Sequence, residues 1–350
     1  IRVNFRRTEN NDYSEIYRYD DATGRFRAFN PVRSGSYTIT FISLQTAFRN
    51  NDAVFGDFEN LALSLRNRLN QEVGREGFDT TSQDVLIPAF IAAYTGKSAE
   101  QIRRTAFPRF PLPNWNITYA GLSKVPLFKN VFQSINITHA YSSTYSMGSF
   151  RTPQEYADPR LIGLDNSLDR TGFLSNPNNN NLFIPLFITD RVTITERFSP
   201  LVGVDFRTPS RFTGRVAYNK ERTVSLITTS RQVAEINNQD VTVSLGYTKN
   251  NLRIPFLIRG EQKVLKNDVQ FRCDVRFLDS RTIQRRFDGI NTPVAGNFQF
   301  SVKPTIQYAV NQRVNATIYF ERNVNRPAVS TSFPRSDTRF GFRLQYNLSQ

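Results

Sequence analysis

From Val269 to Phe277 every second residue is apolar (Val269, Phe271, Cys273, Val275, Phe277), and Asp268, Gln270, Arg272, Asp274 and Arg276 fill the alternate positions. The same period of two runs through 297–308, where Phe298, Phe300, Val302, Ile306 and Tyr308 oppose Asn297, Gln299, Ser301, Lys303, Thr305 and Gln307. It returns in the last stretch, with Phe340, Phe342, Leu344, Tyr346 and Leu348 against Arg339, Gly341, Arg343, Gln345 and Asn347. Successive side chains of a strand point to opposite faces, so each run predicts a strand with one apolar and one polar face. Shorter versions at 115–119, 134–141, 201–207, 212–218 and 241–247 predict more strands. The start also alternates (Ile1, Val3, Phe5), and turns are predicted at Asn10–Asp12 and Asp20–Gly24 before strand character resumes at Tyr37, Ile39 and Phe41. Pro304 has no backbone donor, which predicts a bulge or a non-hydrogen-bonding position inside its strand.

Between about 50 and 106 the period changes. Phe58, Leu61, Leu65 and Leu69 recur at spacings of three and four, which predicts an amphipathic helix from about Asp52 to Val73 with Asn51 or Asp52 as its N-cap. A second helix is predicted from Ser82 to Tyr94, stopped by Gly96 and kinked or reopened by Pro88. Ser98–Gln101 has capping-box spacing for a short third helix. The Pro-rich Phe107–Pro113 stretch returns the chain to extended structure. The division expected is therefore strands and loops over 1–50, a helical insertion over 51–106, and strands over 107–350. The apolar helix stripe reads as packing more readily than as a docking face.

Composition sharpens this picture. The 350 residues carry 45 Lys+Arg against 30 Asp+Glu, a net charge of +15, with 30 Phe, 14 Tyr and a single Cys, Met and His. Only eight of the basic residues are Lys, which leaves 37 Arg, scattered through alternating strands and not gathered in one arm or helix; nucleic acid is therefore not the expected partner. One cysteine, Cys273, and one histidine, His139, exclude an intramolecular disulfide and Cys- or His-based metal clusters. No run of 18 apolar residues exists, which excludes membrane-spanning helices but not membrane strands.

Each long run covers roughly ten residues, the length a tilted membrane strand needs. Apolar residues toward lipid and polar residues toward a watery lumen are the pattern of an outer-membrane barrel. The expected fold is therefore all-β, an antiparallel transmembrane β-barrel with a small helical insertion. Arg272, Arg276, Lys303, Arg339 and Arg343 are expected to face the lumen, and Phe298, Phe300, Phe340, Phe342, Leu344 and Tyr346 the lipid. A soluble β-sandwich adhesin alternates in the same way, one face on a core and one in water, and a TonB-dependent or other outer-membrane transporter barrel is a second alternative.

Several segments carry a resemblance to a known family: PNWNITYAGLSKVPLFKN (113–130), SINITHAYSSTYSMGSF (134–150), ERFSPLVGVDFRT (196–208), LKNDVQFRCDVRFLDSRTIQRR (265–286), NRPAVSTSFPRSDTRFGFRLQYNL (325–348) and, in the helical insert, SQDVLIPAFIAAYTG (82–96). Together they resemble the C-terminal end of the SprA/Sov family, the outer-membrane translocon of the type IX secretion system of Bacteroidetes, also linked to gliding motility. The resemblance implies that this chain is the C-terminal portion of a very large barrel; the missing initiator Met and signal peptide agree with such a piece. It also implies passage of folded, secreted cargo proteins with C-terminal signal domains. The partners implied are a PorV-type shuttle barrel, a periplasmic plug protein and an inner-membrane motor apparatus, in the cell outer membrane beside lipid and lipopolysaccharide.

No catalytic constellation is present: no nucleophile elbow, P-loop or His-Glu-x-x-His helix, so neither an enzyme nor a cofactor is expected. His139 falls in the apolar register with Ile135, Ile137 and Tyr141 and reads as a packed or interfacial residue. Cys273 reads as a small hydrophobe. Sequons at Asn116, Asn136, Asn315 and Asn347 are expected by chance in an Asn- and Thr-rich chain. The strand arginines and Lys303 are expected to be solvated or paired with acids such as Asp268 and Asp274, to keep a passing chain from sticking, or to steer an acidic one inward. Loop arginines are candidates for lipopolysaccharide phosphates. A three-helix insertion in a barrel wall would lie in the periplasm, outside the cell or in the lumen.

Overall fold

The computed structural model describes residues 1–156, 158, 160, 162, 173–176, 178–179, 182–258, 261–287, 291–329 and 333–346. The predicted strand positions Asn347 and Leu348, and the sequon at Asn347, lie outside the described residues. The protein is mostly antiparallel β-sheet with few helices. In chain order the strands are β1 (Arg2–Asn4), β2 (Arg7–Asp20), β3 (Arg25–Thr40), β4 (Asn114–Tyr119), β5 (Ser134–Arg151), β6 (Arg191–Arg207), β7 (Phe212–Ile227), β8 (Gln232–Lys249), β9 (Leu252–Ile258), β10 (Glu261–Leu265), β11 (Val269–Arg286), β12 (Thr292–Ala309), β13 (Val314–Pro327) and β14 (Arg335–Tyr346).

From β5 onward each strand pairs with the next as a meander, β5-β6-β7-β8-β11-β12-β13-β14, with β9 and β10 forming a separate hairpin between β8 and β11. Beyond β5 two strands share one position, end to end: β4 pairs with the half of β5 around Ile137–Tyr141, and β3 with the half around Thr144–Arg151. β1 and β2 line up outside them in the same way. Among the described residues β1, β2 and β14 each pair on one side only, so the sheet is open at both edges and no closed barrel is formed.

The helical segment leaves the sheet at the end of β3 and returns at the start of β4. Helix α1 (Asn51–Val73) is capped by Asn50, whose side chain accepts from the Asp52 backbone N–H; the cap is one residue before the predicted pair, because the extended backbone of Asn50 precedes the first helical turn. Val54, Phe55, Phe58, Ala62, Leu65 and Leu69 are buried, and Leu61 packs partly against them. Helix α2 (Gln83–Tyr94) runs unbroken through Pro88, which removes the bond to the Asp84 carbonyl. An interior proline costs about 3 kcal/mol, but every residue from Val85 to Tyr94 is buried, and packing holds the helix. Gly96 takes the left-handed conformation that ends it. The predicted third helix is a single 3₁₀ turn, Ala99–Gln101.

Both helices pack on one face of the upper sheet, against Tyr37, Ile39, Tyr145, Met147, Val192, Ile194, Val224, Leu226 and Val233. Two ion pairs are sealed in this contact. Glu196 of β6 and Arg222 of β7, directly opposite in register, meet at 2.9 Å with both side chains 2% exposed. Glu196 also accepts from Ser43 Oγ at 2.7 Å and Tyr141 OH at 2.9 Å, and Arg222 donates to the Thr46 carbonyl and hydroxyl. Arg285 of β11 bonds Glu235 of β8 and reaches Asp52 in the first turn of α1. The helical segment is thus tied to β6, β7, β8 and β11 by charge as well as by apolar contact.

The structure changes one sequence expectation, decides between two alternatives for another and adds an irregularity that the sequence did not announce. Asn10–Asp12 is no turn but the middle of β2, paired with Ser34–Ser36; β2 is the outermost strand there and exposed, so polar residues fill both of its faces. The break near the start falls at Phe5–Arg6 instead. For Pro304 the second of the two expected alternatives holds: there is no bulge, since the β12–β13 register is the same at Val302–Arg322 and Thr305–Tyr319, and pairing lapses only at Lys303 and Pro304. The largest irregularity is in β6, where Ser199–Leu201 form a bulge of two extra residues relative to both neighbours.

Two tests follow from the buried charges. Glu196→Ala strands Arg222 in a dry site and is expected to destabilise the folded chain by about 3–5 kcal/mol, whereas the double variant Glu196→Leu/Arg222→Met recovers most of that loss; urea unfolding of the four corners of the cycle measures it, and equal losses in single and double variants would contradict it. Asp84, in the first turn of α2, accepts from the Leu186 backbone N–H, but burial pushes its carboxyl up to about 7. The folded chain then binds a proton that the unfolded chain, with an ordinary carboxyl near 3.9, has released. Stability therefore falls as pH rises from about 4 through about 7. Asp84→Asn is expected to flatten that decline and unfold at higher urea at pH 8 but not at pH 4.

Candidate functional site: two unlike faces of one sheet

Strand register assigns every side chain to a face. One face carries Val202, Val204 and Phe206 of β6; Phe212, Val216 and Tyr218 of β7; Val241, Val243, Leu245 and Tyr247 of β8; and Val269 to Phe277 at alternate positions of β11. It continues through Phe298, Phe300, Val302, Ile306 and Tyr308 of β12, Ala316, Ile318 and Phe320 of β13, and Phe340, Phe342, Leu344 and Tyr346 of β14. Phe298, Phe300, Phe340, Phe342, Leu344 and Tyr346 therefore share one face. The belt is open: Val202, Val216, Leu245, Phe277, Ile306, Ile318 and Phe320 are all exposed, and Phe340, on the edge strand, is 74% exposed. Its depth at β11 is nine residues, ~30 Å along the strand at about 3.3 Å per residue.

The opposite face is polar over the same length. Arg272, Arg276, Lys303, Arg339 and Arg343 all lie on it, among Gln270, Ser301, Thr305 and Gln345. Four of the five cations are paired: Arg272 with Asp274 at 2.8 Å, Arg276 with Asp240 at 3.7 Å, Lys303 with Glu321 at 3.3 Å and Arg339 with Asp337 at 2.8 Å. Arg197–Glu221 and Arg215–Asp205 extend the same arrangement to β6 and β7. Alternation of sign along and across strands leaves this face charged but nearly balanced locally. Asp240, Glu321 and Asp337 were not picked out in the sequence, because their partners lie on a neighbouring strand or on a run whose alternation hides them among other polar residues. Asp268, expected as a partner of the strand cations, instead approaches Arg211 at 3.8 Å.

The helical segment sits on the belt face, beyond the belt's upper border, and not on the polar face. At that border an aromatic cluster crosses the strands: Trp115 stacks on Tyr141 at 4.5 Å between centroids, Tyr141 meets Phe198 at 5.0 Å, and Phe48 meets Phe198 at 5.4 Å with Lys220 Nζ over its ring. His139 belongs to this border. Its Nδ1 lies 2.7 Å from the Leu201 carbonyl in the β6 bulge, a partner 62 residues away that no local pattern announces. The bulge adds two residues, so Val202 and Phe206 remain on the face of Phe198. Cys273 is half-buried between Phe271 and Val275 and opposite Pro304. Among the described residues no cluster of His, Cys, Asp or Glu has the grouping of a metal site, and no helix is long and apolar enough to cross a membrane.

The polar-face ion pairs are solvent-accessible, and exposed pairs contribute at most about 1 kcal/mol each. Arg276→Gln is accordingly expected to shift urea unfolding by less than that; a loss comparable to the Glu196 variant would mean that this face is closed to water.

No family model matches the chain, and no curated protein matches it.

Proposed function

We propose that this sheet is a stretch of the wall of an outer-membrane barrel, with the aromatic belt toward lipid and the charged face toward a wide aqueous lumen, and that the barrel conducts proteins as the type IX translocon does. The observation that carries the reading is the exposed apolar belt over β6 to β14, backed by a face that is mostly polar and charged. Water penalises such a belt, since soluble proteins rarely expose apolar patches beyond a few hundred Å²; lipid does not. A charge on it would cost about 2–4 kcal/mol near the bilayer midplane; β11 carries none between Val269 and Phe277, and the cations of the same face are Lys249, opposite Val269 at the end of the run, and Arg322 of β13, opposite Val302. The ~30 Å depth, reduced by strand tilt, suits an apolar band of about 25 Å.

A membrane-embedded sheet must leave no unpaired edge. The open edges at β2 and β14 therefore call for further strands, in keeping with the resemblance to the C-terminal portion of a very large barrel. In this arrangement the helical segment stands on the outer wall past the bilayer surface, not in the lumen. Charge pairs distributed along the lumen wall keep it wet and give a passing polypeptide no apolar surface to adhere to. Secreted cargo with C-terminal signal domains is the proposed traffic, and the shuttle barrel, plug and motor are the proposed partners.

Two measurements on the full-length protein in cells test this. An apolar photoreactive lipid probe is expected to tag 298–308 and 340–346; release of the protein without detergent, or tagging of neither segment, would defeat the membrane reading and favour a surface adhesin. Arg276→p-benzoylphenylalanine is expected to crosslink to secreted protein chains. Uptake of a small ligand with no protein crosslink would instead favour a transporter barrel.

A further inference from the structure

A cleft of about 200 Å³ opens between the C-terminal half of α2 and the segment that returns to β4. Phe41, Pro88, Ile91 and Ala92 form its apolar floor, and Lys97, Arg103 and Arg109 stand around it with no acidic residue in the lining. Neither Lys97 nor Arg103 has an ion-pair partner among the described residues. Partial burial, and after it the charge of Arg103, hold the Lys97 ammonium below its ordinary value. Like charges held side by side above an apolar floor are costly unless an anion completes the group.

We propose that this cleft binds the phosphate of an anionic membrane lipid, with Lys97 and Arg103 on the phosphate and the first part of an acyl chain on Phe41 and Ile91. Three observations favour a lipid over a free anion or a peptide. The floor is apolar where a phosphate alone needs none. The volume is below the roughly 300–1,000 Å³ of a site that encloses a whole small molecule, so it suits one end of a longer amphiphile. The cleft also lies at the border of the belt: Leu112 N–H bonds the Thr40 carbonyl, and two residues beyond Leu112 the chain enters β4, where Trp115 stacks on Tyr141 at the belt's edge. Phe110, 73% exposed, projects beside it. The inference rests on the membrane reading of that belt. Its consequence is a helical segment held down on the bilayer surface, with Phe110 and Phe48 as its apolar contacts.

The test is native mass spectrometry of the full-length protein in detergent, titrated with phosphatidylglycerol or with phosphatidylcholine of the same chains, and with inorganic phosphate as competitor. Phosphatidylglycerol is expected to bind at one site at least tenfold more tightly than phosphatidylcholine, and Lys97→Gln/Arg103→Gln to remove that preference. Both residues keep much of their surface in water and make no ion pair among the described residues, so the variant is expected to fold; Lys97→Arg, which keeps the charge, is expected to retain binding. Millimolar inorganic phosphate should not displace the lipid. Equal binding of both lipids, an unaffected double variant, or displacement by phosphate alone, which would identify a free-anion site, would each overturn the proposal. If it fails while the protein still needs detergent and 298–308 is still lipid-tagged, only the lipid site is lost; if those fail, the membrane reading falls with it.

Discussion

A strand offers each side chain one of two faces, and the choice is settled by counting along the backbone. Every larger feature of this protein depends on that restriction. Over the lower part of the sheet it sends Phe, Val, Leu and Tyr to one side and Arg, Asp, Gln and Thr to the other, so two surfaces of opposite character are built a single backbone apart. The β6 bulge respects it by adding residues in a pair. The ladder bonds that hold these surfaces together are the same for both, so neither face has to contribute to holding the sheet.

The face that carries the belt also supports a second environment. Above the aromatic border its residues turn from an open apolar layer to a sealed interface with α1 and α2, and there Glu196, Arg222, Glu235 and Arg285 occupy positions that the alternation would give to aliphatic side chains. Buried ion pairs are poor sources of net stability compared with apolar packing, but they tolerate only the arrangement that pairs them. Their placement accounts for a helical segment that docks in one position on the sheet, with Asp52 and Thr46 reaching the two arginines from the helical side.

The lower part of the sheet was legible because one environment lies on each side of it: 269–277, 298–308 and 340–346 read as strands whose residues divide between an apolar and a polar face. The upper halves of β5 to β8, over 142–151, 191–200, 219–227 and 232–240, were not. There Ser143, Glu196, Arg222 and Glu235 sit on the buried face while Ile236 faces the polar side, and the period of two dissolves although the backbone is the same. The helices were legible from their own spacing, since the Phe58–Leu69 stripe packs inward; Pro88 misled only as to a kink. What no spacing could announce were contacts made across long separations, such as His139 with Leu201, or the side of the sheet on which the helices come to rest.

The exit and return of the helical segment lie almost at one point. Thr40 is opposite Thr144, Phe41 N–H bonds the Ser143 carbonyl, and Trp115 is opposite Tyr141, so Phe41 and Asn114 occupy neighbouring positions along β5. Phe41 turns to the belt face and Asn114 away from it, as adjacent residues of one strand would. Everything from Ile42 to Pro113 is therefore an excursion in frame, a graft spliced into a strand whose alternation resumes as though nothing had intervened. Such a splice leaves the face of every side chain downstream unchanged whatever the length of the excursion, so the alternation of the sheet is independent of the helical segment even though the two share a buried interface.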